Sequence, residues 1–287
     1  MSSGPTVAPI VLELGELRLA LTPDLGGSIA GLWHRGNAVL RSTEPGDLRG
    51  PRDSACFPLI PYSNRLADRR FAWLGQNYTT QPNFDDSPHS LHGVGWQRPW
   101  ALKAQGETDA TLAYRHAADA DWPFSFDAEQ RFALTADSLQ MTIRLTNTDP
   151  SDQPVGLGWH PYFLRRNNSR LQMAVTTRWD HDARQIPTLA VPQPAIDAAV
   201  ESLAFDHCFG GWNGHARITD DSFTLRLASS LSYAVVFTPP GKPHFCVEPV
   251  SHLNDAIHRA DPRSQGLLRL RPGEHAEAVM SLQIEAH

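Results

Sequence analysis

The chain has 287 residues, 41% hydrophobic and 20% charged, which is ample apolar material for a substantial core and excludes disorder. With 25 Lys and Arg against 31 Asp and Glu, the net charge of −6 gives no overall attraction to a phosphate backbone or an anionic membrane, so neither partner is expected. The 20 glycines and 23 prolines are a mild excess of turn-formers and lean towards β-structure.

Met1 to Pro9 shows no basic stretch followed by an apolar run, and no apolar run reaches the ~18 residues of a membrane span, so a soluble, cytoplasmic protein is expected. Ile10 to Leu14 and Leu17 to Leu21 alternate apolar and other residues around Gly15-Glu16, the pattern of a hairpin. Phe126 to Leu134 is rich in strand-forming types. In Leu139 to Leu145, Leu139, Met141, Ile143 and Leu145 share one face of a pleat. Phe223 to Leu227, Tyr233 to Phe237 and Ala278 to Ile284 repeat such patterns. Helical spacing is scarce; its best case is Ile196, Ala199, Val200 and Leu203 after Pro194, predicting about two turns. No internal repeat or long linker divides the chain. The expectation is an all-β fold, a large antiparallel β-sandwich formed by residues 1–287 as one domain, with function in its end loops.

The three cysteines, Cys56, Cys208 and Cys246, are odd in number and lack a Cys-x-x-Cys pair, so free thiols are expected rather than disulfides or a thiolate metal site. Pro58 to Leu66 and Ser90 to Gln97 lack clean alternation and are dense in polar and aromatic residues, as site-forming loops are. Gly158 to Phe163, Phe205 to Phe209 and Phe245 to Pro249 each set an ionisable group among apolar or aromatic neighbours. Burial there should raise the proton affinity of Glu248 and lower that of a histidine, moving both towards the range useful for proton transfer.

In order along the chain, these segments resemble the aldose 1-epimerases, or mutarotases, of the galactose mutarotase-like fold. The matching pieces are Asn64-Arg65 with Phe71 and Gly75, Leu91-His92-Gly93, His160-Pro161-Tyr162-Phe163, Phe205-Asp206-His207, Glu248-Pro249 with Asp255-Ala256, and Leu270 to Glu274. The chain departs from the family pattern at Arg69 or Arg70, at Val94, at Trp159, and at Val236, where a sugar-contacting glutamine is usual.

The resemblance implies a cofactor-free, metal-free isomerase acting on a small aldose sugar, as a monomer or homodimer. Mutarotation opens a cyclic hemiacetal and closes it on the other face, so a base must take the anomeric hydroxyl proton while an acid protonates the ring oxygen. By resemblance Glu248 is the base and His160 the acid, facing each other across the ring, with His92 hydrogen-bonding near the ring oxygen. Asn64, Arg65 and Asp206 would hold sugar hydroxyls, Tyr162 would line the site, and Trp96 or Trp159 would cover an apolar sugar face.

Other readings attach to single features. A hexose-6-phosphate 1-epimerase would need Arg69-Arg70 or Arg165-Arg166 to converge on the pocket, and a sugar-binding protein without turnover would need no matched acid and base. His89 and His92 invite a metal reading without a ligand motif to support it, and Asp85-Asp86 and Asp220-Asp221 a glycosidase reading, although adjacent acids in polar loops are usually just solvated.

Overall fold

A computed structural model describes residues 8–85 and 87–287. Met1 to Val7, most of the stretch read for a leader, and Asp86 lie outside the described residues. Almost every element described is a strand, and the helical pieces are three-residue 3-10 turns. Among the described residues no helix is long and apolar enough to cross a membrane.

Three antiparallel sheets carry the fold. A four-stranded sheet opens with the expected hairpin, Ile10–Leu14 against Leu17–Thr22, in register from Ile10 opposite Leu21 to Leu14 opposite Leu17. A nine-stranded sheet has Phe126–Leu134, Ser138–Asn147, His275–Ala286 and Phe223–Ser229 at its heart. The third has six strands, in the order Tyr162–Leu164, His244–Val250, Tyr233–Phe237, Asp206–Gly210, Thr177–His181 and Pro187–Pro192.

Alternation decides which faces meet. Leu139, Met141 and Ile143 lie opposite Leu282, Met280 and Ala278, and all six are buried. Each such large side chain removed from water contributes roughly 1.5–3 kcal/mol. Leu139, Met141, Leu227, Met280 and Leu282 surround a small apolar cavity together with Pro161 and Phe163. The inner face of the nine-stranded sheet thereby backs the segment that bears His160.

The segment predicted as a short helix is different. Ile196–Ala199 is an edge strand paired with Arg170–Met173, followed by the 3-10 turn Val200–Ser202. Of the apolar set, Ile196 and Val200 are buried while Ala199 is exposed, so no continuous helical stripe exists. The strand also gains an Arg170 to Asp197 ion pair at 2.6 Å that a helix would forgo. Cys56, Cys208 and Cys246 are free and buried, as expected.

Candidate active site

The two loops singled out in the sequence meet. Pro58 bridges to Trp159 and Ile60 to Gly93, while Arg65-Leu66 forms a two-residue ladder with Ser90-Leu91. Asn64 and His92 both sit in the left-handed region, at φ 57° and 62°, and hold each other there. The His92 N–H donates to the Asn64 carbonyl at 2.8 Å, and the Asn64 N–H donates to His92 Nδ1 at 3.1 Å. Because Nδ1 accepts, the ring proton resides on Nε2, and His92 is a neutral donor. Burial, with Arg65 adding to it, lowers its pKa to about 3. His252 anchors the same loop: its Nδ1–H donates to the Leu253 carbonyl at 2.7 Å, and its Nε2 accepts from the Ser63 N–H at 3.2 Å. Gly93 is required by shape, since at φ +67° a Cβ would stand 2.1 Å from the Ile60 oxygen.

His160 and Glu248 come together from neighbouring segments of the six-stranded sheet. A Cβ on Gly158 would lie 2.7 Å from the Pro249 oxygen, so glycine permits the close approach of 157–159 to 249–251. Tyr162 pairs with Cys246, which places Glu248 beside His160, and the two side chains meet with Nε2 3.2 Å from Oε1. Both residues are buried, at 7% and 2% exposure, and His160 Nδ1 and Glu248 Oε2 have no protein partner. Burial pushes Glu248 well above the ordinary carboxyl range, with the Asp206 charge adding to it and Arg65 opposing. The same desolvation pulls His160 well below the ordinary imidazole value. Burial thus favours the uncharged form of each member, the carboxylic acid and the neutral imidazole. Cys246 adds a sulfur to this pair, the three ligand atoms lying within 4.8 Å of one another, but burial holds the thiol well above its usual pKa.

Arg65 points at the same region. Its guanidinium donates to Asn64 Oδ1 at 3.2 Å and to Gln185 Oε1, at the tip of the hairpin between Thr177–His181 and Pro187–Pro192. Asp206 starts its strand near Arg65 and Glu248, and among the described residues no Lys, Arg or His nitrogen lies within 4 Å of its carboxylate. Tyr162 stacks on the His160 ring with centroids 4.5 Å apart.

Trp159 is fully buried, and Trp96, 3% exposed, is stacked on Phe57 and edge-on to His92 at 6.4 Å. Val236 is fully buried between strands and offers no polar contact. The arginine pairs do not converge: Arg69 and Arg70 line a cavity with Asp255 and His258, Arg165 and Arg166 another with Lys242, and neither cavity is lined by His160 or Glu248. Both His89 nitrogens are engaged, Nδ1 by the Asp68 N–H and Nε2 with the Arg184 carbonyl, which leaves no shared site with His92. Asp85 pairs with Arg52 and Asp220 with Arg166, so these acids serve the scaffold. Phe57, Arg41, Cys246 and Gln185 were not singled out by the motifs; each reaches the site through sheet or loop packing that leaves no periodic signal.

A family model described as aldose 1-epimerase matches residues 10–283. The chain belongs to the aldose 1-epimerase family. Among its relatives, the uncharacterized protein YphB of Escherichia coli K12 is 33% identical over 96% of this chain and 98% of its own length. The crystal structure of a candidate aldose 1-epimerase from Escherichia coli K12 superposes with a TM-score of 0.87 at 30% identity, covering 98% of this chain and 99% of the other. A galactose mutarotase-like protein from Clostridium acetobutylicum shares the fold at TM-score 0.85 and 21% identity, covering 97% and 95%. The aldose 1-epimerase fold thus accounts for the large antiparallel sheets expected from the sequence.

Proposed function

We propose that this chain is an aldose 1-epimerase that interconverts the α and β anomers of free aldoses without a cofactor. The observation carrying this reading is the buried contact of His160 Nε2 with Glu248 Oε1 at 3.2 Å, beside Asp206, Arg65 and the neutral donor His92. The two functional groups touch rather than face each other across a ring. Side-by-side placement suits the chemistry, because the anomeric oxygen and the ring oxygen share one carbon and are themselves neighbours.

The proton inventory sets the order of events. In ring opening the neutral His160 takes the anomeric proton while the Glu248 carboxylic acid protonates the ring oxygen. This leaves an imidazolium, a carboxylate and an open-chain aldehyde. After rotation about the bond to the carbonyl carbon, Glu248 takes the proton back from the ring hydroxyl and His160 returns its own to the carbonyl oxygen; the resemblance alone would have made Glu248 the base and His160 the acid of ring opening. His92 Nε2–H orients the oxygen that gains charge, while Asp206, Asn64 and Arg65 hold outer hydroxyls. Charge forms and vanishes within one buried pair, so no external proton donor is needed during a turnover.

The separated arginine pairs disfavour a sugar-phosphate substrate, and a matched acid and base serve no purpose in a protein that only binds sugar. Polarimetry of freshly dissolved α-glucose and α-galactose tests the reading against glucose 6-phosphate run in parallel. Faster relaxation of the free sugars is expected. No acceleration of any sugar, or a large preference for the phosphate ester, overturns it.

A further inference from the structure

His160 is the centre of a continuous stack. Trp96 lies on Phe57 with centroids 5.4 Å apart, Phe57 on His160 at 4.7 Å, and His160 on Tyr162 at 4.5 Å, with interplanar angles of 28°, 31° and 27°. The far face of Tyr162 is covered by the Arg41 guanidinium, whose Cζ is 3.6 Å from the ring centroid. Arg41 is firmly held: its N–H donates to the Tyr162 carbonyl at 2.8 Å, and its Nη2 donates to the carbonyls of Arg52 and Ser54 at 2.6 and 2.7 Å. Nε is buried with no partner, and among the described residues no carboxylate lies within 4 Å of the guanidinium. A cation so placed is not cancelled locally, and its field acts along the stack through a low-dielectric interior.

We propose that Arg41 is a positioning residue for the acid–base pair: it clamps Tyr162 onto the His160 ring, fixing the imidazole plane against Glu248, and its uncompensated charge biases the imidazole towards the unprotonated form. This rests on the mutarotase reading for its consequence, because the neutral imidazole is the base of ring opening. The other groups facing His160 are Glu248 at 3.2 Å, His92 edge-on at 5.3 Å, His244 edge-on to Tyr162 at 5.3 Å, and the buried thiols of Cys56 and Cys246. Burial is the largest influence on His160, with His92, Arg41 and His244 acting in the same direction. Both thiols are kept protonated by burial and contribute no charge. Of the groups that disfavour the imidazolium, Arg41 alone is charged throughout the working pH range.

The test compares Arg41→Gln, whose amide can still donate to a carbonyl, with Arg41→Lys, which keeps the charge but not the planar stack. Protonation of the His160 ring is followed by ¹⁵N NMR, and the acid limb of kcat/KM by polarimetry. In Arg41→Gln both midpoints are expected to move up together by roughly one pH unit. In Arg41→Lys the midpoints should move far less, while kcat falls because the ring is less firmly held. An unshifted ring titration in Arg41→Gln overturns the proposal, as does an equal shift in Arg41→Lys. Midpoints are independent of the amount of active protein, so a loss of stability does not imitate the result. Should the native chain exchange no anomers, the mutarotase reading falls, while the ring titration still decides the role of Arg41.

Discussion

Replacing Glu248 by Gln exchanges one buried oxygen for an amide nitrogen in nearly the same volume and separates chemistry from stability. The side chain is 2% exposed and its proton affinity is raised by burial. A folded-state pKa above the ordinary 4.5 means that the folded chain retains a proton the unfolded chain has released. The stability this group contributes is therefore full below the unfolded value and is lost as pH rises through the folded one, at about 1.4 kcal/mol per pH unit. His160 has the opposite sign: its depressed affinity costs stability only as pH falls below the ordinary 6.5. Above pH 6.5 Glu248 is thus the member of the pair that imposes a slope, up to the pH at which its folded carboxyl ionises. Glu248→Gln should gain on the native chain as pH rises, for as long as the folded carboxyl keeps its proton, while anomer exchange slows by at least ~10²-fold. Urea unfolding at several pH values, with polarimetry on the same samples, measures both. A stability difference that stays flat with pH would show that the carboxyl is ionised in the folded chain, and near-normal exchange would remove it from the chemistry.

His160→Asn should slow exchange by a similar ~10²-fold with the fold intact, since the amide cannot take the anomeric proton; near-wild-type rates would sink the role. Arg65→Ala should mainly raise KM, because the guanidinium meets Asn64 and Gln185 rather than the acid–base pair. An unchanged dependence on sugar concentration would count against that contact. Gly93→Ala should cost about 3 kcal/mol or more in thermal or urea unfolding, as its Cβ would meet the Ile60 oxygen at 2.1 Å in a left-handed conformation.

Much of the scaffold was legible because the signals were local. Leu139 to Leu145 and Ala278 to Ile284 carry period-two patterns that the structure pairs across one ladder. The polar loops around Asn64 and His92 stood out because they interrupt such patterns. The stretch after Pro194 misled because four apolar residues cannot distinguish a helix from a strand that ends in a turn, and pairing with Arg170–Met173 decided the matter. What Trp96 and Trp159 pack against is likewise not written in residue types: an indole near a motif can face a site or the core, and only packing chooses. Of the stack on His160 only Tyr162 was legible, through its motif, since Arg41 and Phe57 join it through tertiary contacts. Nor could residue types reveal that the acid and base touch, at 3.2 Å between Nε2 and Oε1.

The backbone ladder that sets Tyr162 opposite Cys246 has an evolutionary corollary. Main-chain pairing tolerates wide turnover of side chains, so the spacing of the two proton-carrying groups can be inherited almost unchanged through distant descendants. The 182–186 tip and the turn around Asn64 lie outside that ladder and are joined to each other through Arg65. Side-chain changes at those rims can therefore alter what surrounds the pair without moving the ladder that spaces it.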